Sequence, residues 1–264
     1  MSKYLAVFKI TWEGALVYRL NFILWRIRSV LQLLVAYFIW WTIFQSQQEV
    51  FGYTENLMLT YIMVAALIRA VILSSRVMDL AGHINQGDVA NFLVKPLGFI
   101  SFYFSRDLSD KLLNILFVIA EIILLAFLLK PPLIFQQDIL ILALFTLAIF
   151  LGLILYFLIS FVIGLTAFWV ENSWGPFFLI TIFLEGFAGG LFPIDILPKA
   201  VFNILMLTPF PYLIYFPSKL YLGTLSALDL FQGFTILIFW VVFMYILTLK
   251  TLHAGLRHYT AVGH

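Results

Sequence analysis

Long uninterrupted apolar runs, rather than an alternation of apolar and polar positions, set the pattern of this chain. Six of them, at 22–44, 57–75, 112–129, 139–168, 175–192 and 228–249, approach or exceed the length a bilayer-spanning helix needs. A helix rises about 1.5 Å per residue, so about 20 apolar residues cross a hydrocarbon layer about 30 Å thick. Membrane β-barrel strands alternate over about ten residues and do not produce runs of this kind. The pattern predicts an all-α membrane protein with six transmembrane helices, organised as one transmembrane domain over residues 1–264.

Between the runs lie three segments of different character. Residues 2–19 carry Lys3, Lys9, Glu13 and Arg19 among Leu5, Phe8, Trp12 and Leu16, which predicts a helix lying in the membrane interface. The segment 76–111 is too polar to cross and too apolar for a free linker. Within it Ile84, Val89, Phe92 and Leu93 supply an apolar stripe, Asp88, Asn91 and Lys95 stay available to a soluble partner, and Pro96 ends the helix. In 193–227, the prolines Pro193, Pro198, Pro209, Pro211 and Pro217 interrupt an apolar stretch at 200–216. Proline removes a backbone donor and bends the chain, so a re-entrant hairpin on the outer side is preferred there to a seventh span.

Charge then sets the orientation. With six spans and the N-terminus inside, the inner side receives Lys3, Lys9, Arg19, Arg26, Arg28, Arg76, Lys95, Arg106, Lys111, Lys250 and Arg257, and the outer side only Lys130, Lys199 and Lys219. The positive-inside rule therefore puts both termini, Ser2 and His264, in the cytoplasm of a cell whose plasma or inner membrane holds the chain. Composition agrees: 64% of residues are hydrophobic and 11% charged, against about 25% charged in soluble domains. A net charge of +2 without a dense basic run excludes nucleic acid as a partner, leaving membrane lipid and protein. The absence of cysteine excludes thiolate metal sites, and the first residues lack the pattern of a cleaved signal.

Candidate chemistry is sparse. No Gly-Lys pair exists, so the chain has no phosphate-binding loop and is not expected to hydrolyse ATP. Among His83, His253, His258 and His264 no pair has the HExxH spacing of a zinc site, and no catalytic residue or bound cofactor is expected. Of the ionisable groups inside the apolar runs, three stand out: Arg69, close enough to its inner end to snorkel, Glu121 and Glu185. Such groups usually face a bundle interior, a partner or a water-filled cavity, and the three are candidates for a translocation pathway. Gly186, Gly189 and Gly190 after Glu185 allow close helix packing or a break in the fifth span. A lipid-modifying membrane enzyme and a proton-coupled transporter using Glu121 or Glu185 stay open, although no internal repeat of the latter class is visible.

In the order and placement of its motifs the chain resembles the permease subunits of the ATP-binding-cassette transporter type-2 family. The resemblance rests on the six-span layout and on Ile84-x-x-Gly87-x-Val89-x-x-x-Leu93-x-x-Pro96-Leu97. It continues in Phe168-Trp-Val-Glu-Asn-Ser-Trp174, Phe192-Pro-Ile-x-x-Leu-Pro198 and Pro209-Phe-Pro211. It implies export driven by a separate cytoplasmic ATPase that binds ATP and Mg, with a second copy or related permease completing the pathway. Ile84, Gly87, Asp88, Phe92, Lys95 and Pro96 would then form the coupling element that docks into the ATPase. The proline segment would cap the pathway.

Overall fold

The computed structural model describes residues 2–17, 19–93, 97–170 and 174–259 and is almost entirely helical. The elements are α1 (Ser2–Val17), α2 (Arg19–Phe44), a two-stranded hairpin, α3 (Glu55–Ile72), α4 (Met78–Asn85), α5 (Val89–Leu93), α6 (Phe99–Leu129) and α7 (Ile139–Leu165). They are followed by α8 (Trp174–Phe187), α9 (Lys199–Leu205), α10 (Tyr215–Tyr221) and α11 (Ala227–His258). Among the described residues, five helices are long and apolar enough to cross a membrane: Ile23–Phe44 within α2, Glu55–Ile72, Phe99–Leu129, Ile139–Phe168 and Ala227–His258.

The helix ends follow local chemistry. Asp138 caps α7 by accepting from the backbone N–H of Leu140 and Ile141, and Ser226 and Asp229 form a reciprocal capping box on α11. At the end of α6, Lys130 turns left-handed at φ 48° and Pro131 and Pro132 follow, which cannot continue the helix. α3 lies at the centre of the bundle and packs against α2, α6, α7 and α10, with Met58, Leu59, Tyr61 and Ile68 fully buried. α11 lies along α7, where its glycines leave room for rings: a Cβ at Gly233 would collide with Phe216 and one at Gly255 with Phe168.

Hydrogen bonds between distant segments define two ends. At one, the backbone N–H of Gly98 donates to the Tyr4 hydroxyl of α1 at 3.2 Å, and the Tyr259 hydroxyl after α11 donates to the Gly87 carbonyl. Thus α1, α4, α5 and the end of α11 share this end. At the other, Gln136 Nε2 donates to the Tyr221 carbonyl at 2.9 Å, and the Thr60 hydroxyl accepts from the Ile134 N–H at 2.9 Å.

Three expectations need correction. The fifth apolar run was expected to cross through residue 192, but α8 stops at Phe187. Fourteen residues reach only about 21 Å. Gly189, at φ +85°, ends it, because the Tyr61 hydroxyl and Tyr215 occupy the space where a Cβ would sit. The third helix starts at Phe99, well before residue 112, since Phe99, Tyr103 and Phe104 pack their rings onto Phe157 and Phe161 of α7. Finally, Lys111 was counted only among the charges of the inner side, and its side chain is completely buried.

A charged cavity and its roof

α2 enters the bundle carrying Arg26 and Arg28 inside its apolar run, and α3, α6 and α8 supply the groups that face them. Together these helices enclose a cavity of about 660 Å³. Its wall belongs to an arginine–carboxylate array in which Glu121 stands behind Arg26, outside the lining itself. Arg26 donates through Nε to Glu121 Oε1 at 2.7 Å, makes a second bond to Glu121 Oε2, and reaches Asn114 Oδ1 at 3.3 Å. Asn114 Nδ2 donates to Asp110 Oδ2 at 3.1 Å, and Asp110 accepts from Arg76 Nε at 2.8 Å. Asp110, Asn114 and Glu121 share one face of α6, so a single helix presents the whole line.

On the opposite wall Arg69 of α3 pairs directly with Glu185 of α8, and Arg28 stands 4.0 Å from the same carboxylate. The Arg69 head therefore lies inside the protein and does not reach out along its helix to the interface. Glu121 and Glu185, read from the sequence as isolated acids, are each held by arginine. Arg26, Arg28, Arg76, Asp110 and Asn114 could not be read from the chain as members of one array, because the contacts that join them run between different helices. The one local signal was the spacing of polar residues along α6.

Toward the end bearing α4 the wall has exposed members, Trp25, Arg28 and Asp79. Toward the other end it is roofed. The Trp40 indole donates to the Leu191 carbonyl at 3.1 Å, and the Tyr61 hydroxyl to the Gly189 carbonyl at 2.7 Å. Above these, Tyr53 donates to both oxygens of Asp195 at 3.0 and 2.9 Å, and Lys219 pairs with Asp195 at 3.1 Å. Burial, reinforced by the neighbouring Asp195 charge, pushes the Tyr53 hydroxyl pKa up, so it remains a donor. Pro193, Pro198, Pro209 and Pro211 lie in this roof region, at the starts of short turns and helices.

The segment expected to dock a partner is not one helix. α4 and α5 are separated by a turn at 86–88, where Gly87 sits at φ +78°. Ile84 and Val89 point into the core, so the apolar stripe of this segment faces the bundle. Phe92 stacks against His83, Phe102 and Tyr103. Asn85, Gln86 and Asn91 are exposed, and Asp88, half-buried, accepts from Asn91 at 3.3 Å. Lys95 and Pro96 lie outside the described residues.

Comparison with protein families places this arrangement in a class of membrane transporters. The family model described as "ABC-2 family transporter protein" matches residues 30–263, nearly the whole chain. The chain belongs to that family and is a multi-pass membrane protein of the permease type. Comparison with curated proteins and with solved structures returned no significant match.

Proposed function

We propose that this chain is the membrane half of an ATP-driven exporter, working as one of two permeases with a separate cytoplasmic ATPase. The observation that carries the reading is the charged cavity in a family member: open at the α4 end, roofed at the other, and lined by ionisable groups that no packing role requires at that depth. In this reading α8 and the prolines after it form a half-crossing and re-entrant cap, the sixth membrane element. Lys3, Lys9, Arg76, Arg106, Lys250 and Arg257 place the α4 end in the cytoplasm. α1 lies in the inner interface, where Leu5 and Ile10, both largely exposed, meet lipid.

The turn at 86–88 is the docking point for the ATPase. It is anchored from behind by Tyr259, whose hydroxyl also accepts from the Ala90 N–H at 3.3 Å, so movement at the turn is passed to α11 as well as to α4. ATP-driven closure of two ATPases would shift the paired permeases between an inward-open and an outward-open arrangement. A proton-coupled mechanism is disfavoured by the pairing of Glu121 with Arg26 and of Glu185 with Arg69, which leaves neither carboxylate standing alone in the bundle.

Asp88→Lys tests the docking role. The side chain lies outside the membrane helices, so the variant should insert and purify as wild type but lose copurification with the ATPase, or lose stimulation of its hydrolysis. Undiminished coupling in Asp88→Lys and in a Gln86→Lys, Asn91→Lys double variant would refute the docking assignment.

A further inference from the structure

The charges of the cavity do not cancel, and the remainder has a position. Among the described residues of the array, Arg26 has Glu121, Arg69 has Glu185, Arg76 has Asp110, and Arg106 has Asp79 at 2.6 Å. Arg28 has no carboxylate of its own: it reaches only 4.0 Å from an oxygen of Glu185, the carboxylate Arg69 already holds. Its side chain is 52% exposed, and its guanidinium lies over the Trp25 ring at 5.2 Å from the centroid. One helical turn further along α2, Gln32 faces the same cavity, and its amide makes no hydrogen bond among the described residues. An amide at membrane depth without a partner is costly unless something in the cavity supplies one. A turn beyond Gln32 the same face becomes apolar at Ala36, and Ile62, Leu184 and Leu191 complete an apolar upper chamber beneath the roof.

Resting on the transport reading above, we propose that the cavity takes an amphipathic anion of drug-like size, with its acidic head at Arg28 and Gln32 and its apolar body beneath the Trp40–Leu191 roof. Guanidinium is the group best suited to a planar or tetrahedral oxyanion, because it offers paired donors in a fixed fork. Binding requires Arg28 to leave only a contact at the limit of ion pairing. A cation would meet Glu185 already held by Arg69, and would have to displace that closer pair. The volume falls within the range of about 300–1,000 Å³ that holds drug-sized ligands.

The test is binding of a dansyl-tagged undecanoic acid to the purified full chain in phosphatidylcholine nanodiscs, read by energy transfer from tryptophan. The matching dansyl-tagged alkylamine serves as comparator. The acid should bind at least about tenfold more tightly than the amine, a difference of about 1.4 kcal/mol. Arg28→Gln should weaken the acid about tenfold, Arg28→Lys should restore part of that loss, and Gln32→Leu should weaken it by a smaller factor. Lys130→Gln, at the far end of α6, should change nothing. Equal affinity for acid and amine, or acid binding unchanged in a monodisperse Arg28→Gln preparation, would overturn the proposal. Displacement of the acid by phosphatidylglycerol in the disc would overturn the assignment to a free single-chain anion in favour of a lipid. Because no ATPase is present, these outcomes are separable from the docking test: undiminished ATPase coupling in the Asp88→Lys and Gln86→Lys, Asn91→Lys variants refutes the docking assignment alone, and loss of acid selectivity refutes the anion alone.

Discussion

Two groups of charges lie within the helical bundle, and they are built to opposite ends. In the cavity, arginines and carboxylates from four helices share partners, retain exposure and leave one cation over. On α6, the pair Asp107 and Lys111 is sealed: both side chains are 0% exposed, with Lys111 Nζ 3.5 Å from Asp107 Oδ2. Lys111 also donates to the carbonyls of Ile72 at 2.7 Å, Val71 at 3.4 Å and Ser74, closing the C-terminal end of α3. Those carbonyls have no acceptor role within the helix and carry its negative dipole end, so an ammonium there satisfies them twice over. Neither Asp107 oxygen accepts a well-formed hydrogen bond among the described residues, so its main compensation is the Lys111 ammonium, with the Ser75 side chain also close to the carboxylate. The cavity charges are left adjustable, and the charge that fixes a helix end is given no slack.

The sharpest way to break this comparison is to remove one charge from each group. Lys111→Met should cost about 3–5 kcal/mol, because it leaves Asp107 buried without a counter-ion and frees the carbonyls that end α3. Thermal unfolding in detergent would record it, and Asp107→Leu in the same chain should recover part of the loss. Arg28→Gln, by contrast, should alter stability by no more than about 1 kcal/mol, as for other exposed ion pairs. Equal destabilisation by the two variants would erase the distinction.

A smaller effect sharpens it at the edge of the bundle. His83 of α4 shares a hydrogen bond of 2.8 Å with the Tyr103 hydroxyl. Burial lowers its pKa, and the Arg106 charge lowers it further, outweighing the opposing pull of Asp79 and Asp88. The unfolded chain takes up a proton near pH 6.5, whereas the folded chain does so only at lower pH. Stability from this group is thus complete above about pH 6.5 and is lost as pH falls through the folded value. His83→Gln should flatten the dependence of the melting temperature between about pH 7 and pH 5, and an unchanged slope would show that His83 does not set it.

How far the sequence could be read follows from the range of each interaction. Apolar runs are local, so the five long helices were legible, with the largest displacement of an end at Phe99, where ring packing onto α7 extends the helix. The shortness of α8 was legible only as one of two readings of Gly186, Gly189 and Gly190, because its apolarity continues to Phe192 and the choice depends on Tyr61 and Tyr215 crowding Gly189. Glu121 and Glu185 stood out as acids in apolar surroundings, but their arginines lie on other helices and were instead counted as charges of the inner side or placed at a helix end. Lys111 was misplaced for the same reason: only the end of α3, distant in sequence, makes a buried lysine useful there. Its spacing of four residues from Asp107 was the available clue.

The account stands most directly on whether ATP hydrolysis by a partner moves a ligand through this chain. The decisive measurement is transport of dansyl-tagged undecanoic acid by proteoliposomes holding the permease together with the ATPase that copurifies with it. The account predicts ATP-dependent movement of the acid away from the ATPase side, greatly reduced by Arg28→Gln although ATPase docking persists. An intact, hydrolysing complex that binds the acid but does not move it, or moves it toward the ATPase side, would contradict it.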